Sequence, residues 1–564
     1  EKPKREAASG ETSGDGKLTF YPPRYAKMYQ SWHEPGTLRD WCISRQLWWG
    51  HRIPVWTKEI ENTTAKPTDS YQWEQDGRIA QRVEHGMHFV CVRDERDMEV
   101  MDALMQHGYV QDPDVLDTWF SSGLWPLSTM GWPTPEEYPD TQGLLNTFNP
   151  TSVLCTGRDI ITLWVSRMVM FNRYFNDGKV PFHHVYINPM IQDGQGQRMS
   201  KSLGNGVDPL DIVHSHGADA MRFSLTQIAT STQDVRLPVD MICEHCGETF
   251  HPKETQSPAG YRVAAPKQHC PSCKKAMVSA YGIASGNAQP TDDEPLARNT
   301  SSKFDIGRNF CNKLWNATRF ALSNLTDSAA AHVPDDSNSE LTITDRWMLT
   351  RLARTLEEIE DALREYQFSA YAQAMYDLIW RDFCDWYLES IKPTVKESPA
   401  QQQVLRTVLN AILRMLHPIC PFVTEALWSH VRHAGHAGVP GLELDDHALL
   451  AGAGWPDVDN SVVDVEAEQI YERIQNLVSA IRQVRAENNV PPKRTVELLI
   501  NPAVRPLVDQ AEGVVTTLAG LSGIDDAPAD GAANGAIPIP FEGDEVFLSG
   551  LREAVDVATE RSRL

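Results

Sequence analysis

The sequence predicts a chain of α/β plus all-α class: a parallel-sheet region, a zinc-knuckle insert, a helical bundle and a small C-terminal α/β module. Three observations carry this. Between Asp114 and Val235, short apolar runs such as Thr151-Ser152-Val153-Leu154-Cys155 and His184-Val185-Tyr186-Ile187 alternate with a helix-like segment from Ile160 to Tyr174, the βα rhythm of a parallel sheet. Cys243-x-x-Cys246 and Cys270-x-x-Cys273 follow, two pairs with the spacing of metal knuckles. Beyond them, Leu349, Leu352, Leu356, Ile359 and Leu363 step by 3, 4, 3 and 4, and Leu405, Leu409, Ile412, Leu416 and Ile419 by 4, 3, 4 and 3. Each series is one apolar stripe of a helix.

Taken in order, residues 1–16 are polar and Gly/Ser-rich, which reads as a flexible lead-in with neither a signal peptide's apolar stretch nor an initiator Met. The chain is therefore expected to be a piece of a longer one. Residues 17–113 read as a connecting segment of aromatic-rich irregular structure, in which the Trp48-Trp49 pair, taken by itself, reads as core packing. Residues 114–236 hold the parallel-sheet region. It contains the loop Gly196-Gln197-Arg198-Met199-Ser200-Lys201-Ser202-Leu203-Gly204-Asn205. Two cations and two hydroxyls between glycines fit a clamp for a triphosphate, because glycine lets backbone approach an anion and Arg198 with Lys201 can neutralise charge on phosphate oxygens. The loop follows the run from Val185 to Ile191, so it is expected beyond the carboxyl end of a strand, where open α/β sheets bind ligands. The plain alternative is an exposed basic turn.

Residues 237–296 form the insert and its Gly/Pro/Asp-rich link. Four thiolates can hold one structural Zn²⁺ tetrahedrally, and the 23 residues between the pairs add little to the cost of closing the loop. A redox pair or unliganded thiols are the alternatives, and His245, His251 and His269 are further donors. Cys42, Cys91, Cys155, Cys311, Cys384 and Cys420 stand singly in apolar or helical contexts, the pattern of buried thiols in a reducing cytosol. In residues 297–456 a third stripe, Ala372, Tyr376, Ile379, Phe383 and Trp386, and a basic-faced helix from Phe310 to Leu322 complete a bundle. In residues 457–564 a helix carrying Ile470, Ile474, Leu477, Ile481 and Val484, strands near Val496 to Ile500 and Glu545 to Leu548, and a helix near Leu507 to Ala519 make a small α/β module.

Composition fits an intracellular enzyme without naming one. The chain has 564 residues and 63.3 kDa, 41% of them hydrophobic, and no run approaches the roughly 18 apolar residues of a membrane helix. No membrane partner is expected. A net charge of −24 argues against a nucleic-acid binder until local charge is counted. From Arg298 to Leu322 five cations (Arg298, Lys303, Arg308, Lys313, Arg319) face one acid, Asp305, a net of +4; Arg482, Arg485, Lys493 and Arg494 cluster near Glu487. An acidic body with basic strips directs a polyanion to the strips. Ordinary solvated helix faces are the alternative.

The segment Arg198-Met199-Ser200-Lys201-Ser202 resembles the KMSKS loop of class I aminoacyl-tRNA synthetases, with Arg in place of the first Lys. Asp40-Trp41-Cys42-Ile43-Ser44-Arg45-Gln46-Leu47-Trp48-Trp49-Gly50-His51-Arg52-Ile53-Pro54, Asp114 to Trp125, and Thr156-Gly157-Arg158-Asp159-Ile160-Ile161 with Trp164 and Arg167-Met168 are similar to the valyl family, in the valyl order. Arg308 to Ala317 and Phe383 to Glu389 resemble the family's anticodon-binding domain, and Arg482 to Pro492 again looks valyl.

The resemblance implies the second half of a Rossmann-like class I catalytic domain and an anticodon-binding bundle. It implies a cytoplasmic, monomeric ligase that joins L-valine to tRNA(Val) using ATP with Mg²⁺. It implies that Lys201, Ser200 and Arg198 stabilise the reacting phosphates, that Gly157, Asp159, Met199 and Ser202 help hold ATP, and that Trp119 and Trp164 wall the valine pocket with Asp117 nearby. Arg308, Lys313, Arg319, Arg482 and Arg485 become candidate tRNA contacts; Cys243, Cys246, Cys270 and Cys273 are the metal candidates. No HIGH-type motif occurs and no editing domain precedes Lys17, so a C-terminal fragment is expected, ending near Asp556 to Leu564 at the entry to the family's coiled coil. A non-catalytic tRNA-binding module, or an isoleucyl or leucyl relative, is the competing reading.

Overall fold

The computed structural model describes residues 17–60, 70–230, 233–325, 341–434, 438–528 and 536–551. The lead-in at 1–16 and the coiled-coil entry near 556–564 lie outside the described residues. The chain divides into two compact units, Glu1–Pro189 and Met190–Leu564.

In the first unit, Phe182–Asn188 lies between Thr19–Tyr21 and Thr151–Gly157 in an all-parallel sheet. The crossover from Thr151–Gly157 to Phe182–Asn188 runs through a 3₁₀ turn at Arg158–Ile160, wider π turns at Ile161–Val165 and an α-helix at Ser166–Phe175. Ile161, Val165, Met168 and Val169 pack with Phe20, Leu154, Val185 and Ile187 to form its core. The βα rhythm predicts two of these strands. The third, Thr19–Tyr21, comes from the segment read as irregular.

That segment differs from expectation more widely. The described residues between 55 and 111 build a four-stranded antiparallel sheet in the order Ile79–Glu84, Met87–Val92, Val55–Glu59, Val110–Gln111. Its core of Trp56, Trp73, Val90, Val92, Val100, Leu104 and Tyr109 is closed by the helix Met98–Gln106, which Asp97 caps. The alternation of Met87–Val92 is hidden because His88 occupies an inward position. It is buried there, with Nε2 3.0 Å from Gln81 Oε1 and Nδ1 beside the Tyr109 hydroxyl. Trp48 and Trp49, by contrast, are 98% and 89% exposed and belong to no core.

In the second unit, Ile191–Asp193 pairs in parallel with Val235–Leu237. The insert starts with Asp240–Ile242, which pairs with Thr249–Phe250 and with Arg298–Thr300. It therefore closes a few residues later than 296. Two hairpins lie inside it, Glu254–Gln256 with Arg262–Ala264 and Lys267–His269 with Ala276–Val278.

The bundle consists of Asp305–Asn324, Ile343–Arg364, Phe368–Tyr376, Pro399–Leu416 and Pro421–His433. Thr342 and Asp345 cap the second helix reciprocally. Leu349, Leu352, Leu356 and Ile359 are buried, as are Leu405, Leu409, Ile412, Leu416 and Ile419. After Tyr376 the helix widens into π turns over Asp377–Leu388. Wider turns carry the stripe from Ile379 and Phe383 to Tyr387, and Trp386 is only partly buried.

The C-terminal module sets the helix Val465–Glu487 against a sheet ordered Leu521–Asp526, Val496–Ile500, Asp544–Ser549, Ile537–Phe541. The helix expected from Leu507 to Ala519 is two, Arg505–Asp509 and Glu512–Ala519, parted at Ala511 where φ is −153°. Leu521–Asp526 and Ile537–Phe541 escape prediction. One holds Ser522, Gly523 and two aspartates; the other is an edge strand interrupted by Pro538 and Pro540.

The helix Ala218–Ile228 joins the loop region to the bundle. Phe223 stacks on Phe310 at 4.1 Å, Arg222 donates to the carbonyls of Ile419 (2.9 Å) and Pro418 (2.8 Å), and Asp219 accepts from the N–H groups of Phe422 and Val423 at the start of Pro421–His433. Gly307 makes the approach close enough: a Cβ there would lie 2.2 Å from the Ala220 carbonyl oxygen. Gly307→Ala is expected to cost about 1–3 kcal/mol through overpacking, read as a lower urea midpoint. An unchanged midpoint would show that this contact does not hold the two helices.

Candidate functional site

The loop expected to hold phosphates is built around a buried carboxylate. Asp193, 3% exposed, ends the strand Ile191–Asp193. Its Oδ1 accepts from the N–H groups of Gln195 (3.1 Å) and Gln197 (2.8 Å), and its Oδ2 from Gln197 Nε2 (2.8 Å) and Asn205 Nδ2 (2.8 Å). Asn205 returns across the loop: its Oδ1 accepts from Ser200 N–H at 2.9 Å. Ser200 Oγ caps the short 3₁₀ turn Lys201–Leu203 by accepting from Leu203 N–H at 3.2 Å, and stands 3.1 Å from Ser202 Oγ. Met199 packs against Ile212, Leu237 and Phe304. Arg198, Lys201 and Ser202 are exposed. The loop thus fastens its backbone, its apolar residue and the Ser200 hydroxyl while presenting two cations and the Ser202 hydroxyl. Of its buried staples, Asp193 lay outside the decapeptide; the Asp193-Gly194 turn signal was its only mark.

In the first unit the segments 40–54 and 114–125 pair physically. Ser44–Arg45 lies antiparallel to Val115–Leu116. Ser44 Oγ donates to Asp114, and Arg45 forms an ion pair with Asp117. Asp117 is 5% exposed. It accepts from Trp41 Nε1 (3.2 Å) and caps the helix Thr118–Gly123 by accepting from Trp119 N–H (2.8 Å). The Trp164 indole donates to the Ser122 carbonyl at 3.0 Å. Trp119 and Trp164, both half-buried, are thus fastened to one short helix.

Arg167 stacks over the Trp41 ring at 3.6 Å, and burial lowers its pKa. Burial pushes the Asp117 carboxyl up, yet the Trp119 N–H, the Trp41 indole and the charges of Arg45 and Arg167 together hold it below the usual range. Asp117 is committed to holding its neighbours in place. Gly157 begins the turn Arg158–Ile160 with φ −85° and ψ 156°, and Asp159 on that turn is exposed.

The four knuckle cysteines converge. Cys243 and Cys273 sulfurs are 3.7 Å apart, Cys246 and Cys270 3.6 Å, and all four lie within 4.8 Å of one another. Zn–S bonds of about 2.3 Å in a tetrahedron set sulfurs about 3.8 Å apart, so the donor set fits zinc. Gly247 and Lys274, each following the second cysteine of its pair, both have positive φ, and N–H groups of Gly247 and Lys274 donate to the carbonyls of Cys243 and Cys270. Desolvation raises the Cys270 thiol, but the N–H groups of Cys273 and Ser272 and the neighbouring thiols bring it down to about 7. The isolated cysteines are not uniformly buried: Cys384 and Cys420 are, while Cys42 and Cys155 are exposed, Cys155 because it faces outward from its strand.

Among the basic residues, Arg308, Lys313 and Arg319 share the helix Asp305–Asn324. Arg308 pairs with Asp305 at 2.6 Å; Lys313 pairs with Asp385 at 2.9 Å and lies 4.8 Å over the Trp380 ring. Arg319 is exposed. Arg482 is exposed, stacks on Trp386 at 5.3 Å and donates to the Leu518 carbonyl. Arg485 corrects the expectation. It is 7% exposed, and its guanidinium donates to the carbonyls of Gly520 (2.7 Å), Arg494 (2.7 Å) and Pro491 (3.3 Å). Its donors tie the C-terminal module together and are not turned to a polyanion.

Because Asp117 is held below its unfolded pKa of about 3.9, its stabilisation is complete above that value and is lost as pH falls through the lower folded one. Melting between pH 5 and 2 should show this acid limb, and Asp117→Asn should flatten it. An identical limb in the variant would remove Asp117 as its source.

A model for tRNA synthetases class I (I, L, M and V) matches residues 5–238, and one for the anticodon-binding domain of tRNA ligase matches residues 345–500. The chain is 40% identical over 508 residues to a valine–tRNA ligase of Rhodopirellula baltica, covering 86% of this chain and 46% of that protein. A valine–tRNA ligase of Thermotoga maritima is 37% identical, covering 86% and 43%, and one of Petrotoga mobilis 33% identical, covering 100% and 52%. The chain spans about half the length of these curated relatives. The paired motif segments, the stapled Arg198–Ser202 loop and the helical bundle lie within or beside the matched regions, and over most of its own length the chain is similar to valine–tRNA ligases and to class I tRNA synthetases.

Proposed function

We propose that this chain carries part of the machinery that attaches L-valine to tRNA(Val) in two steps. In the first, the valine carboxylate attacks the α-phosphorus of ATP and pyrophosphate leaves. In the second, a terminal ribose hydroxyl of the tRNA takes the acyl group. The first step is governed by positioning and charge stabilisation. The observation that carries the reading is the loop in which Arg198 and Lys201 are exposed while Asp193 and Asn205 fix the backbone beneath them. Fixed cations stabilise charge growing on the departing phosphates without reorganising at the moment of reaction.

In this reading Lys201 is the principal phosphate cation, Arg198, Ser200 and Ser202 assist, and the Met199 backbone meets the adenine. Asp159 accepts from the ribose or the ammonium group. Trp119 and Trp164 wall a small apolar pocket, and Asp117 orients Trp119 from behind. ATP enters with Mg²⁺ as substrate. Arg308, Lys313, Arg319 and Arg482 supply phosphate contacts to the tRNA, and Arg485 does not. Residues 114–236 then serve as the second catalytic half and 297–456 as the anticodon-binding part.

Valine-dependent ATP–pyrophosphate exchange tests the central assignment. Lys201→Ala is expected to lower it by about 10²–10³-fold, the usual cost of removing one preorganised charge donor; wild-type exchange in the variant would take Lys201 out of the mechanism. Structural zinc in the insert is read from the sulfur spacings, and four thiolates leave no open position for a catalytic water. One zinc per chain is expected by elemental analysis and none in Cys270→Ser; a metal-free chain with unchanged melting temperature would overturn it.

A further inference from the structure

The insert touches the loop Gly196–Asn205 at both ends. At the near end, the side-chain amide of Gln197 is engaged at both its nitrogen and its oxygen. Its Nε2 donates to Asp193 Oδ2 and to the Arg262 carbonyl, each at 2.8 Å, and its Oε1 accepts from Arg262 N–H at 3.1 Å. Gln197 thereby pairs with the outer edge of the hairpin Glu254–Gln256 and Arg262–Ala264 as another strand would, satisfying groups that an edge otherwise leaves open. Gln195 Nε2 adds a bond to Glu254 Oε1 at 2.6 Å, and Glu254 is ion-paired to Arg262 at 2.6 Å.

At the far end, Asn299 is buried and its Nδ2 donates to the carbonyls of Gly204 (3.0 Å) and Gly206 (2.7 Å). Gly204, with φ +57°, lies so close to the insert that a Cβ would be 2.2 Å from the Tyr281 backbone nitrogen. Arg198 and Lys201 sit between these two anchors.

Both anchors stand on segments that lead directly into the cysteine cluster. The hairpin that holds Gln197 lies wholly within the 23 residues separating Cys246 from Cys270. Its base is tied by Gln268, whose amide donates to the carbonyls of Lys253 and Ala265 and accepts from Lys253 N–H, two residues before the second knuckle begins. Asn299 stands on the strand Arg298–Thr300, which pairs with Asp240–Ile242 immediately before Cys243. A metal holding the four sulfurs closes the segment carrying one anchor and fixes the strand carrying the other.

We propose that the four-cysteine insert is a positioning element for the Arg198–Ser202 loop, acting through Gln197 and Asn299, so that metal loading of the insert sets the order of the phosphate-binding cations. The functional half of this inference rests on the phosphate reading above; the mechanical half does not.

Trypsin supplies a readout independent of catalysis, because the loop's own cations are its cleavage sites. Cutting after Arg198 and after Lys201, followed by mass spectrometry, is compared in the zinc-loaded chain, the chelated chain, the chelated chain with zinc restored, and the Gln197→Ala and Asn299→Ala variants loaded with zinc. Removing the metal is expected to raise both rates about tenfold, and zinc to reverse the change. Gln197→Ala is expected to raise them several-fold with zinc content and urea midpoint unchanged. Should chelation expose sites inside the insert, such as Lys253 or Arg262, while cleavage after Lys201 stays constant, the positioning role is overturned. Unchanged cleavage in both zinc-loaded variants overturns it equally.

In ATP–pyrophosphate exchange, Gln197→Ala should raise the KM for ATP several-fold and leave the KM for valine unchanged. Loop release without any effect on ATP would sink the phosphate reading and leave the mechanical coupling standing.

Discussion

The buried Asp193 carboxylate is the constraint on which the second unit's site depends. It accepts four hydrogen bonds, two from backbone and two from the amides of Gln197 and Asn205. A carboxylate is suited to this because it accepts at both oxygens and donates at neither. Without it the turn at Gly194–Gly196 would lose its internal partner, Asn205 would lose the bond that lets it hold Ser200, and Gln197 would have one fewer reason to face the insert. Two cations can be exposed and still well placed only if something beneath them is fixed.

What the sequence made legible follows from how local each signal is. The bundle stripes were readable because leucine spacing is a property of one helix, and Leu349, Leu352, Leu356 and Ile359 are buried as spaced. The cysteine pairs were readable because each knuckle is a short turn of its own. Trp119 and Trp164 were recognisable only through motif resemblance; their shared attachment to the helix Thr118–Gly123 needs 42 residues of chain to close between Trp164 and Ser122. The sheet at residues 55–111 was missed because a hydrogen-bonded histidine stands where an apolar residue would mark the pattern. Arg485 misled for the converse reason: charge in sequence says nothing of where the guanidinium points, and three carbonyls had already claimed it.

Asp219 and Arg222 extend the same logic toward the bundle. Asp219 caps Pro421–His433 while Arg222 binds the carbonyls just before that helix, so one short helix grips both the donors and the acceptors of a single turn. With Phe223 stacked on Phe310, the helix Ala218–Ile228 is held by charge-assisted bonds at one end and aromatic contact along its side. Both kinds of contact resist sliding, because either would have to be broken before a shifted alternative formed.

The edge strand Ile537–Phe541 carries a last consequence. In its register with Asp544–Ser549, Pro538 lies opposite Phe547 and Pro540 opposite Glu545. A proline has no N–H to give, so the positions whose donors would face away from the sheet are the ones where none exist. This margin of the C-terminal sheet therefore offers acceptors without matching donors. A stray strand from another chain would find half of its partners missing on this side, and this edge is guarded against sheet-to-sheet pairing by the same two residues that obscured its strand in the sequence.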